Sequence, residues 1–94
     1  MANIRNLKKD IAYLTDEIIT DAQLYKYMNP DKNVELADSI IIEAVDMCNQ
    51  LCSRVNNPDG KDNPKLVKQH YKAIQKDLLE KSHELFDRIS KLNK

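Results

Sequence analysis

The sequence has little glycine and little cysteine: one Gly and two Cys in 94 residues, beside three Pro. A single Gly rules out a Gly-rich phosphate loop, and no Ser-centred nucleophile elbow occurs. Net charge is missing as well, since fifteen Lys and Arg balance fifteen Asp and Glu. A neutral chain lacks the broad electrostatic footprint of a nucleic-acid binder. Runs such as Ile40-Ile41-Ile42 fall far short of the ~20 apolar residues that span a bilayer. Met1 is followed by Asn3, Arg5, Lys8 and Lys9 instead of a signal-peptide core, which sets a cytoplasmic expectation. Repeats and low-complexity tracts are absent.

What remains is 41% hydrophobic and 32% charged residues, rich in Lys, Leu, Ile, Asp and Glu. That profile excludes disorder, collagen and mucin-like stalks, and reads as helical. Ninety-four residues make one domain, residues 1–94, large enough to fold without metal or disulfide support.

Three amphipathic segments follow. In the first, about 3–28, Ile4, Leu7, Ile11, Leu14, Ile18, Ala22, Tyr25 and Met28 recur at spacings of three and four. They predict a helix about 39 Å long at a rise of about 1.5 Å per residue. Asn29-Pro30 ends it, because the residue before Pro is pushed out of the α region. In the second, about 34–55, Ala37, Ile40, Ile41, Ala44, Met47, Cys48, Leu51 and Val55 form a stripe that Leu36, Val45 and Cys52 widen. Asn33 is its expected N-cap, with Glu35 in the first turn. A loop over 56–63 contains Pro58-Asp59-Gly60, turn chemistry in which Gly60 is free to take positive φ. Asn63-Pro64 then reads as N-cap and first helical residue. The third helix, about 64–92, aligns Val67, Tyr71, Ile74, Leu78, Leu85, Ile89 and Leu92, with Leu79 and Phe86 on one flank. Short connections make neighbours antiparallel. The expected fold is all-α, a three-helix antiparallel up-down-up bundle with long helices.

Charge is distributed unevenly along this plan. Residues 31–60 carry six acids against Lys32 and Arg54, whereas 61–94 carry eight Lys and Arg88 against five acids. Pairing between the second and third helices is expected.

No residue reads as catalytic, and no cofactor is implied. Glu80 and His83 have the Glu-x-x-His spacing of di-iron bundles, but helical geometry turns them about 140–160° from the core direction, so no metal is assigned. His70 sits at the stripe edge, where a hydrogen-bonded boundary histidine is the plain reading. Cys48 and Cys52 lack a second pair of metal ligands and read as packing residues. The 56–63 loop lacks the EF-hand order. Two surface features stand out. Lys65, Lys68, Lys72 and Lys76 form an outward ridge in the half of the third helix where the dipole disfavours cations. Tyr13, Leu24 and Tyr27 share a ridge opposite the core stripe of the first helix, and Tyr is enriched at interfaces.

The stretches NIRNLKKDI and NNPDGKDNPKLVKQHYKAI resemble those of a family of short, uncharacterised bacterial all-helical proteins. The resemblance implies a bacterial cytoplasmic setting and brings no activity with it.

The functional expectation is a non-enzymatic bundle that works through protein–protein contact with another protein or with itself as a homodimer. The alternative is an anion or nucleic-acid module built on the lysine ridge. A small metal-binding protein is the most distant reading. No small-molecule ligand is evident.

Overall fold

The ends of the helices show how the chain closes on itself. Asn29 donates its backbone N–H and its Nδ2 to Tyr25 O, at 2.9 and 3.1 Å, and Pro30 follows. Asn33 takes φ 55° and ψ 26°, a left-handed conformation that Asn tolerates better than most residues. It starts the next helix by accepting Ala37 N at 3.0 Å on its carbonyl. Its side chain makes no cap bond, contrary to the expected N-cap. Nδ2 instead donates to Leu92 O at 3.4 Å. Asn63 does cap as expected, its Oδ1 accepting Lys65 N at 3.0 Å and Leu66 N at 3.4 Å.

The computed structural model describes residues 4–57 and 63–92, and Gly60 with its turn lies outside them. It consists of α1 (Ile4–Met28), α2 (Val34–Asn56) and α3 (Pro64–Leu92), each packed against the other two. The three-helix up-down-up bundle predicted from periodicity is the fold. Asn56, expected in the loop, closes the last turn of α2.

Helix ends leave carbonyls without intrahelical partners, and here other helices supply the donors. Tyr25 Oη and Asn33 Nδ2 both donate to Leu92 O at the end of α3. His70 Nε2 donates to Arg54 O at 2.7 Å, and Tyr71 Oη reaches Val55 O at 3.5 Å at the end of α2. These bonds tie together both ends of a rod 53 × 18 × 17 Å in extent.

The core follows the stripes, with four corrections. Leu7, Ile11, Ile18, Ile40, Ile74 and Leu85 are essentially inaccessible. Met28, Leu36, Val45 and Leu79, assigned to stripe or flank, are exposed instead. Each sits at an edge of its helix's apolar arc or at a helix end, where three rods of this length supply no fourth wall. Two polar residues that the stripes omitted are buried. Thr15 Oγ1 donates to Ile11 O at 2.7 Å, and Ser82 Oγ lies 3.9 Å from Met47 Sδ. Among the described residues no buried side-chain polar atom lacks a partner, which is what a burial cost of ~1–3 kcal/mol per orphaned group demands.

Candidate functional site

Three seams join the helices, and each is closed by different chemistry. The α2/α3 seam is ionic. Glu43 receives Arg88 Nη1 on Oε2 and Lys81 Nζ on Oε1, the latter at 3.1 Å, and Lys81 also pairs with Glu84 at 3.1 Å. Arg54 Nη1 meets Asp77 Oδ2 at 2.6 Å further along. The charge asymmetry read from the sequence therefore becomes internal pairing. The Arg54–Asp77 pair reverses the expected polarity, with the base on α2. Hydrogen bonding to Arg88 holds the Glu43 carboxyl below its ordinary range, outweighing the upward push of partial burial, and Lys81 adds to the effect. Glu84 and then Glu43 hold the Lys81 ammonium above its ordinary range.

A groove of about 470 Å³ runs along this seam past Glu43, Asp46, Asp77, Glu80 and Glu84. Arg54 and Lys81 line it too, and with Lys76 they give four of its carboxylates, Glu43, Asp77, Glu80 and Glu84, a cationic partner. Glu80 pairs at 4.0 Å with Lys76 and is exposed, as is His83. The two do not project inward, in line with their helical positions. Among the described residues no cluster of three or more His, Cys, Asp or Glu has metal-binding geometry.

The α1/α2 seam is closed by packing. Ile19, Ile41, Cys48 and Cys52 are half-buried against the core, and Lys26 pairs with Asp38 at one end. Cys48 Sγ and Cys52 Sγ stand 4.0 Å apart as free thiols. Burial, followed by the neighbouring Cys48, pushes the Cys52 thiol above its ordinary range. Reactive thiols have the opposite shift, so Cys52 fits the packing role read from the sequence.

The α1/α3 seam is the open one. No ion pair crosses it among the described residues; its one side-chain hydrogen bond is Tyr25 to Leu92 at the far end. A groove of about 370 Å³ lies over it, lined by Asp10, Tyr13, Leu14, Gln75, Leu78 and Leu79. Tyr13 is 63% exposed and Leu79 64%. Seven-residue steps bring Glu17 and Leu24 into line with Asp10, and Lys72 and Phe86 into line with Leu79. Leu24 is exposed, Phe86 half-buried against the core. On this face exposed apolar side chains are thus interleaved with acids on the α1 side, Asp10 and Glu17, and with lysines on the α3 side, Lys68, Lys72 and Lys76.

The sequence-derived sites divide over this surface. Tyr13 and Leu24 lie on the α1/α3 face. Tyr27, 84% exposed, points further round α1, away from both neighbours. Lys65, Lys68, Lys72 and Lys76 are all exposed, and only Lys76 has an ion pair among the described residues. Leu79 was missed as a surface residue because it was assigned to the core flank. Its signal was adjacency: Leu78 and Leu79 are about 100° apart on a helix, and Leu78 already points to the core.

No described helix is long and apolar enough to cross a membrane. No protein-family model matches the chain, and neither curated proteins nor solved structures give a match.

Proposed function

We propose that this chain is a non-enzymatic helical bundle acting through protein–protein contact, with the α1/α3 face as its contact surface. The observation that supports this is the open seam itself. Tyr13 and Leu79 are exposed around one groove and Leu24 is exposed about three turns further along α1, with no cross-seam ion pair among the described residues. Exposed Tyr and Leu beside charged side chains fit a protein interface, where Tyr is enriched and often carries much of the energy. The setting we infer is the cytoplasm.

A photoreactive benzoylphenylalanine in place of Leu79 tests the reading in the cell that makes the chain. Illumination is expected to join it to protein, whereas the same group in place of exposed Asn49 on α2 is expected to give little. Equal yields at the two positions contradict the proposal.

A second reading draws on the ridge Lys65, Lys68 and Lys72, which has no ion pair among the described residues, and makes the chain an anion or nucleic-acid module. Binding to RNA, DNA or anionic vesicles that weakens steeply with added salt is the behaviour it requires.

A further inference from the structure

The α1 and α3 sides of this face differ in sign, and that difference restricts what can cover it. Asp10 and Glu17 edge the α1 side; Lys68, Lys72 and Lys76 edge the α3 side. Asp10 lines the same groove as Gln75, so Asp10 and the Lys72–Lys76 turn stand at one level along the rod. A partner that satisfies both sides has to present basic side chains opposite α1 and acidic ones opposite α3, interleaved with apolar side chains. The face itself has that pattern after a half-turn about an axis parallel to the helices. Such a rotation keeps every residue at its own height while exchanging α1 for α3.

We propose that the partner on this face is a second copy of the chain, in a parallel two-fold dimer with α1 of each copy against α3 of the other. The proposal rests on the contact reading above and adds the occupant. Asp10 of one copy then meets Lys72 and Lys76 of the second, while Glu17, about two turns further along, adds to the acidic field that faces this basic strip. Tyr13 packs against Leu79 of the second copy, twice by symmetry, as an isologous interface requires. Rotation about an axis across the rod would instead set α1 on α1 and acid on acid, which charge disfavours. Size is adequate, since the 53 × 18 Å outline of one face exceeds the ~800 Å² that each partner contributes to a typical stable interface.

These charges supply the test, because all four residues changed are exposed and substitution leaves the core intact. One variant carries Asp10→Lys and Glu17→Lys; the other carries Lys72→Glu and Lys76→Glu. Circular dichroism checks that each stays helical, and sedimentation or light scattering reads the mass. The unaltered chain is expected to be a dimer. Each variant alone is expected to dimerise at least about tenfold more weakly, through like charges on both halves of the interface. An equimolar mixture of the two is expected to recover the dimer, because acid again faces base on both sides. A monomer at concentrations up to about 1 mM, where an affinity of only about 4 kcal/mol would show, overturns the proposal. A dimer indifferent to either reversal, or a mixture that fails to recover, overturns it too. The Leu79 crosslink separates this failure from that of the contact reading: a product with a different protein ends self-association and leaves the surface standing, and no product ends both.

Discussion

The α2/α3 and α1/α3 seams are built on the same helix and closed by opposite means. On the α2 side of α3, Asp77, Lys81 and Arg88 reach across to Arg54 and Glu43. On the α1 side, Gln75, Leu79 and Phe86 occupy the corresponding flank, and no cross-seam ion pair forms among the described residues. A seam closed by charge satisfies itself, since each of these side chains has its partner within the chain. A seam flanked by exposed Tyr and Leu gains by being covered from outside, at ~25 cal/mol for each Å² of apolar surface removed from water. This difference is why the proposed contact is placed on the α1/α3 face rather than on the larger acidic groove.

Three substitutions test that contrast through stability. Leu78→Asp has the largest expected effect. Leu78 is buried beneath both seams of α3, and an unpaired carboxylate there should abolish cooperative thermal unfolding by circular dichroism. Glu43→Gln comes next. It removes the hub of the ionic seam, at about 1 kcal/mol or less because the side chains involved are about one-third exposed. Its sign with pH is definite. The folded-state pKa of Glu43 lies below its ordinary value near 4.5, so its contribution is present above that value and is lost as pH falls through the lowered one. Denaturant midpoints should therefore drop below about pH 4.5 in the unaltered chain, and drop less in Glu43→Gln. Leu79→Ser should cost least, within about 0.5 kcal/mol for the monomer, as for other surface positions. A loss at Leu79 comparable to that at Leu78 would put Leu79 inside the core and remove the contrast between the seams.

Periodicity made the fold legible, because Leu, Ile and Val at spacings of three and four specify which side of each helix is dry. Proline and asparagine marked the ends: Asn29-Pro30 and Asn63-Pro64 stop and start helices where expected. Asn33 showed where a helix begins without showing how. Its left-handed backbone and its bond to Leu92 depend on α3 arriving alongside, a tertiary fact with no local signature. The exposed face was only half visible for a related reason. Tyr13 and Leu24 stood out because they oppose the stripe of α1, but Leu79 lies at the edge of the stripe of α3. Whether an edge residue is covered depends on how far the neighbouring helix reaches, and a wheel drawn for one helix does not contain its neighbour. Thr15 and Ser82 were passed over as polar, yet Thr15 returns its hydroxyl to Ile11 O and Ser82 sets its own beside Met47 Sδ.

The face is tested most directly by comparing two tyrosines on the same helix. Tyr13 lies on the α1/α3 groove and Tyr27 off it, and both are well exposed in the single chain. Covalent footprinting with hydroxyl radicals, read by mass spectrometry across a range of protein concentrations, follows each side chain separately. Labelling of Tyr13 should fall together with that of Leu79 as concentration rises, while Tyr27 keeps a constant rate. Tyr13 and Tyr27 labelled at constant rates throughout, or Tyr27 protected in place of Tyr13, would contradict the account.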